Sequence, residues 1–455
     1  MILIKLIGVL IGVILTSFYV FPVEIGAMNT KMAMAIIGII IFIFKEAFAP
    51  NRLINKNIVI LLLLAFVVSF ISWFAMEFNN TNDTTYVFYF ISMIVWLIGA
   101  YTLIWYLQFV HHTLSIIDIG CYLAAVGALQ GIFAIWMDNN LEIVDFFIRI
   151  RMLDPEDVAY AQEGDRLFGI GCSYDPGGIR LATILVIMGY LLQGVMERFN
   201  AFGKILYIGA FICIVIFGNM ISRTTSVGFI IAIVYIIIQS GLWRMSIVQK
   251  YVNTLKWLSV VFVVSTAVVI FSYQQYDRFR ENFRFGFEGF VSLAETGEWN
   301  VKSNETLITM YRFPESLHTW LIGDGYIDST DNNPYYIGER YKGYYMSTDV
   351  GYLRFVYYGG LFMLLSFLSF IGWSAHTCGD FFPRYKVMFW LMFLVQIGVW
   401  FKVATDIFCM FAIFIAMGMI YMSNNQFNRV SRLNAQNNII KDNAIERNQF
   451  VVICK

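Results

Sequence analysis

The sequence predicts an all-α, polytopic integral membrane protein of about twelve transmembrane helices, and three observations carry that prediction. Apolar residues make up 59% of the 455-residue chain and charged residues 14%, against about 25% charged in soluble proteins. Several runs of about eighteen or more residues are almost free of charge, long enough to cross a bilayer core as helix. Basic residues also alternate between successive connections, frequent in one set and sparse in the other, the positive-inside pattern.

Composition excludes other classes. The formal net charge of zero argues against nucleic acid, whose binding face is strongly basic. Cys121, Cys172, Cys213, Cys378, Cys409 and Cys454 are scattered without metal-ligand spacing, so neither a disulfide framework nor a zinc site is expected. The apolar stretch Met1–Phe21 lacks a small-residue cleavage site and reads as a retained first span.

Taken in order, the candidate spans are Ile2–Phe21, Lys31–Phe48, Asn57–Met76, Tyr86–Val110, Leu114–Met137, Gly177–Met196, Gly203–Asn219, Thr224–Trp243, Leu255–Tyr273, Val350–Trp373, Lys386–Trp400 and Val403–Met422. The last two are separated only by the Phe401–Lys402 turn. With the N-terminus cytoplasmic, the inner connections and their edges hold Lys45, Arg52 and Lys56; Arg198 and Lys204; Arg244, Lys250 and Lys256; Arg384 and Lys386. The short outer connections hold Glu24, Glu77 and Asp83. An even number of spans returns the polar, Asn-rich tail 424–455 to the cytoplasm, leaving 1–423 as the membrane domain. Two outer connections, 138–176 and 274–349, are too long to be simple linkers. Their wealth of Tyr, Phe and Trp argues against disorder. Phe279, Phe283, Phe287 and Phe290 recur at helical spacing beside Arg278, Arg280 and Arg284, which fits a helix lying in the membrane interface or packed on neighbouring spans.

Chemistry concentrates where helices begin on the outer surface. Asp175 and Pro176 suit the N-cap and first position of one helix, with Arg180 near its first turn. Ser222-Arg223-Thr224 opens a second helix, and Ser347-Thr348-Asp349 caps a third that carries Arg354. A helix N-terminus has partial positive charge, so an arginine there is disfavoured by a few tenths to about 1 kcal/mol. Three such arginines on one face make sense around an anion, which helix N–H groups and guanidinium forks bind together. A lipid diphosphate presents that group at this depth. Each arginine taken alone also fits snorkelling to headgroups, and Arg354 fits a pair with Asp349. Arg166, Arg312 and Arg340 add charge from the two long connections. Tyr335, Tyr336, Tyr341, Tyr344 and Tyr345 could stack on sugar faces or form an interfacial belt.

In these pieces the chain resembles the O-antigen polymerase (Wzy) and O-antigen ligase group of bacterial membrane glycosyltransferases. The matching residues are Arg166-Leu167-Phe168-Gly169 with Asp175-Pro176, Ser222-Arg223-Thr224, Arg312 leading to Gly323-Asp324-Gly325, and Asp349-Val350-Gly351-Tyr352-Leu353 leading to Gly359-Gly360. The polymerases carry an arginine followed by ten residues and a glycine in two outer loops. Arg166 with Gly177, Arg312 with Gly323 and Arg340 with Gly351 fit that spacing, but so do Arg198 with Gly209 and Arg278 with Gly289. Layout and local context therefore carry the resemblance. The ligases place a His-Asn-like pair where this chain has Asp349-Val350, which tilts the reading toward polymerase.

The resemblance implies a GT-C-like fold in the bacterial inner membrane. It implies glycosyl transfer between two undecaprenyl-diphosphate-linked glycans, one donor and one acceptor, with a flippase and a chain-length regulator as partners. Arg180, Arg223 and Arg354 would clamp the leaving diphosphate. Arg166, Arg312 and Arg340 would position diphosphate or glycan, with Asp324 and Tyr345 in the substrate-binding set. Asp349, then Asp324, then Glu339 would be the base. No Asp-x-Asp metal pair stands beside these arginines, so metal- and cofactor-independent chemistry is expected. A flippase, the rival from another class, should carry charges within several spans and have short loops; a scaffold would not need arginines at helix starts.

Overall fold

The computed structural model describes residues 2–26, 28–44, 55–245, 247–330, 339–341 and 343–422. In chain order the helices are α1 (Ile2–Val20), α2 (Thr30–Phe42), α3 (Lys56–Phe78), α4 (Tyr89–His111), α5 (Ile116–Asp138), α6 (Leu141–Arg149), α7 (Pro155–Glu163), α8 (Tyr174–Arg198) and α9 (Ala201–Ile221). They continue with α10 (Thr225–Ser240), α11 (Val252–Gln275), α12 (Asp277–Gly286), α13 (Glu288–Thr296), α14 (Lys302–Thr309), α15 (Leu317–Leu321), α16 (Gly351–Phe381), α17 (Lys386–Val399) and α18 (Phe408–Met422). A two-residue antiparallel ribbon, Glu24–Ile25 with Met28–Asn29, is the sheet among the described residues.

Eight of these helices, α1, α3, α4, α5, α8, α9, α11 and α16, are long and apolar enough to cross a membrane. The chain is an all-α, multi-pass membrane protein. Three further apolar helices, α2, α10 and α18, are shorter. At a rise of about 1.5 Å per residue, the 14 residues of α17 fall short of a hydrocarbon core of about 30 Å. Lys45, Arg52 and the tail 424–455 lie outside the described residues.

Local chemistry sets the helix ends. Ser115 accepts the Asp118 N–H while the Asp118 carboxylate takes the Ser115 N–H, a reciprocal cap that starts α5. Asn200 caps α9 by accepting from the Gly203 N–H at 3.0 Å. Gly241, at φ 79°, closes α10 in the left-handed region. Helix α8 forms the centre: Ile179 and the run Leu181–Met188 are buried against α5, α9, α10 and α17.

The two long connections are helical. α6 and α7 fill the first, and α12 to α15 the second. Asn282 of α12 donates to the Asp138 carboxylate at 2.8 Å, and Arg278 Nε lies 3.4 Å from it, so both connections share one face of the bundle. Helix α12 packs on α9 and α11. Its Phe279, Phe283 and Phe287 rings follow one another at 6.2 and 4.6 Å. Of the two readings of the phenylalanine stripe, packing on spans describes Phe279 and Phe283, which lie against the core; Phe290 instead meets Trp299.

Helix α16 is broken at Gly359 (φ −142°, ψ 22°) and Gly360 (φ 68°, ψ −168°). The break frees the carbonyls of Tyr357 and Tyr358, which accept from the Asp324 N–H at 2.6 Å and the Gly325 N–H at 3.1 Å. A Cβ on Gly360 would collide with the Leu321 carbonyl, and one on Gly323 would lie 2.6 Å from the Gly359 nitrogen. The Gly323-Asp324-Gly325 and Gly359-Gly360 motifs are thus two halves of one backbone lock. Asn79, Thr81 and Asp83 pin it from the α3–α4 connection, through the carbonyls of Gly323 and Gly325 and the N–H of Ile327.

Candidate functional site

A cavity of about 670 Å³ opens on the face that carries the long connections. The first connection contributes Tyr160, Arg166 and Tyr174, and the start of α8 adds Asp175 and Pro176. Ser222 and Arg223 come from the α9–α10 turn. Phe285, Ser303, Leu307, Tyr344 and Asp349 come from the second connection, Arg354 from α16, and Lys402 to Thr405 from the segment before α18. Four cations, Arg166, Arg223, Arg354 and Lys402, face two lining carboxylates, Asp175 and Asp349.

Arg354, the fourth residue of α16, is 8% exposed. It pairs with Asp349 at 3.2 Å and with Asp328, donates to the Ile327 carbonyl at 3.3 Å, and lies 4.6 Å from the Tyr344 ring centre. The backbone lock around Asp324 presents Asp328 and Ile327 to it. Asp349 was expected to cap α16, but no side-chain cap bond forms there; its carboxylate goes to Arg354 instead. Burial pushes the Asp349 carboxyl up to about 6, with Arg354 pulling it down and Asp175 pushing it up.

Arg223 uses every nitrogen: Nη2 meets Glu288 at 2.7 Å, Nε the Phe285 carbonyl at 2.9 Å, and Nη1 the Ser303 hydroxyl at 2.9 Å. Burial lowers its pKa, and Glu288 works in the opposite direction. Its guanidinium lies 4.4 Å from the Phe285 ring centre, and that of Arg166 lies 4.8 Å from the same ring. Arg166 makes no ion pair among the described residues, and its buried Nε has no partner. Lys402 Nζ contacts Asp175 at 2.9 Å and the Thr224 hydroxyl at 3.2 Å. Asp175, expected at the N-cap, is the second residue of α8 and also accepts from Ser222 and Thr224.

The cavity therefore unites Arg166, Arg223, Asp349 and Arg354, and leaves out five other site residues expected from sequence. Arg180, the seventh residue of α8, sits about 7.5 Å further along the helix than Asp175. It shares the Trp96 ring with Lys31, whose Nζ lies 4.3 Å from the ring centre against 5.6 Å for the Arg180 guanidinium. Arg312 and Arg340 are exposed. Asp324 accepts from the Thr319 hydroxyl at 2.7 Å and the Tyr345 hydroxyl at 3.2 Å, and burial raises its pKa. Tyr345 is buried among Tyr326, Tyr341 and Tyr357, and its neighbour Tyr344 faces the cavity. Glu339 is exposed and accepts from the Tyr341 hydroxyl at 3.1 Å. Tyr335 and Tyr336 lie outside the described residues.

Sequence reasoning missed Lys402, Phe285, Glu288 and Asp328. Lys402 carried a legible signal, a lone lysine in the turn between two apolar runs. The other three are read only through partners far away in the chain.

Chemically, the cavity offers a dense set of fixed donors with internal counter-ions. Arg223, Arg354 and Lys402 each have a carboxylate; Arg166 has none. An anionic ligand would find one free guanidinium and three further cations, two guanidiniums and one ammonium, that it must share or take over. Comparison with family models, with curated proteins and with solved structures finds no match for this chain.

Proposed function

We propose that this protein is a membrane glycosyltransferase of the polymerase type. It would join undecaprenyl-diphosphate-linked repeat units on the outer face of the bacterial inner membrane, with both termini cytoplasmic and about twelve crossings. The observation that carries the reading is the convergence of Arg166, Arg223, Arg354 and Lys402 on one cavity with Asp349 among them.

In this reading the donor diphosphate enters between Arg166 and Arg354. Each charge-assisted hydrogen bond contributes about 1.5–3 kcal/mol, and bonds that tighten as the leaving diphosphate gains charge accelerate the transfer. A sugar hydroxyl of the acceptor attacks the anomeric carbon, the bond to the diphosphate oxygen breaks, and undecaprenyl diphosphate leaves. Asp349 takes the hydroxyl proton. The diphosphate competes with Asp349 for Arg354, so donor binding weakens the ion pair that depresses Asp349 and makes the carboxylate a stronger base. Tyr344 and Tyr174 offer ring faces to the glycan. Arg312, Arg340 and Asp324 then act away from the reacting atoms.

His318 lies 3.9 Å from Asp324 and stacks on Phe78, and no histidine is among the residues lining the cavity. That favours the polymerase over a ligase using an imidazole. The test is a strain lacking this chain, scored for surface glycan. Single units reaching the final acceptor support a polymerase, polymer left on the lipid indicates a ligase, and loss of both indicates export.

A further inference from the structure

We infer that Lys31 and Arg180 form a second anion site, separate from the large cavity, that takes a phosphate group at the membrane boundary. Lys31 is the second residue of α2 and Arg180 the seventh of α8. Two segments far apart in sequence thus bring a cation each to one indole ring, that of Trp96 in α4. Neither cation has a hydrogen bond or an ion pair from its side chain among the described residues, and the Arg180 Nε is buried with no partner. Both side chains remain partly exposed, so a ligand can reach them.

Among the described residues, one acidic group acts on both cations. Asp406 interacts electrostatically with both cations, but its carboxylate is engaged by the Phe408 N–H at 2.9 Å, where it caps the start of α18. One carboxylate against two cations leaves a net positive charge. Cations in this setting are normally paired or line a water-filled cavity. The Lys31 ammonium and the Arg180 guanidinium with its partnerless Nε are charged donors of the kind that phosphate oxygens take. The ring of Trp96 supplies cation–π support to both heads, which holds them in place while no anion is bound.

The proposal goes beyond the glycosyl-transfer reading and does not require it, since it concerns binding without a glycan. The experiment uses the full chain purified in detergent. Native mass spectrometry compares phosphatidylglycerol with phosphatidylcholine of the same acyl chains, and thermal stability is followed against inorganic phosphate. The wild type is expected to retain phosphatidylglycerol at least tenfold better. K31Q and R180Q, each checked for a monodisperse profile, are expected to lose that preference, whereas R223Q keeps it. If R180Q does not fold, K31Q alone decides, because Lys31 is partly exposed at a helix start. Stabilisation by inorganic phosphate, lost in K31Q, with no lipid preference would assign the site to a soluble phosphate. No preference and no stabilisation in the wild type would overturn the proposal. So would folded K31Q and R180Q that bind as the wild type does, or a loss shared equally by R223Q.

Discussion

The Asp349 carboxylate lies 3.2 Å from the Arg354 guanidinium, across the first turn of α16 and inside the cavity that also holds Arg166 and Arg223. Asp328, from earlier in the same long connection, holds the same guanidinium. Arg354 is thus buried with two carboxylates and a carbonyl. That arrangement stabilises it without an anion and leaves a bond for an anion to replace.

The first prediction concerns this pair. Removing a preorganised donor from a developing anion costs about 10²–10³ in turnover, so R354A should reduce glycan polymerisation by that much with the protein still inserted. D349N should lose about 10²–10⁴ if Asp349 is the base. Ladder density in a complemented deletion strain and turnover on lipid-linked repeat units measure both. Full-length ladders from R354A would count against the assignment.

The pH dependence follows from the Asp349 carboxyl, pushed up to about 6. Below that value the group is protonated and cannot accept the hydroxyl proton; above it the base form predominates. kcat/KM, which reports the free protein, should rise tenfold per pH unit below about 6 and level off above it, and D349N should abolish that limb. A profile for D349N that keeps the same limb would assign it to another group.

Arg166 has no carboxylate of its own, so its charge is the one most available to a ligand. R166A should weaken binding of the lipid-linked donor by about ten- to a hundredfold, from one charge-assisted bond of about 1.5–3 kcal/mol. The effect should fall mainly on KM. R312A and R340A, at exposed positions, should stay within about threefold of the wild type, as surface changes usually do. Steady-state kinetics on the four proteins separates these outcomes.

Gly360 tests the lock that positions Asp328. At φ 68°, with the Leu321 carbonyl where a β-carbon would go, G360A combines a left-handed alanine with a backbone collision. The dihedral alone costs about 1–3 kcal/mol. The variant should lose several degrees of thermal stability in detergent, and more activity than the melting shift explains. Gly297, also at positive φ but with open space around it, provides the contrast: G297A should lose less stability and keep activity.

How much of this was legible in the sequence varies with the range of the interaction. The helices were legible because apolar length and end residues are local properties, and α8 and α16 fall where their charge-free runs do. Arg223, Asp349 and Arg354 were legible as polar groups at the ends of such runs, and Arg166 as a charge in a long connection. Arg180 looked equivalent to Arg354, but being the seventh residue of its helix, not the fourth, places it at a different ring with a different neighbour. Asp324 and Tyr345 looked like ligand-binding groups because both are polar in a long connection. Their hydroxyl–carboxylate bond is an internal one between distant positions, which spacing cannot reveal. The counter-ions Glu288 and Asp328 were hidden for the same reason, and with them the near-neutral balance of the cavity.

The most direct test of the central claim is equilibrium binding of a short-chain prenyl diphosphate to the purified protein, free of any sugar. The account predicts saturable binding that falls at least a hundredfold in the R166A/R223A double variant, weakens with salt, and is unchanged in K31Q. Binding that persists in a folded double variant, or no binding by the wild type, would contradict it.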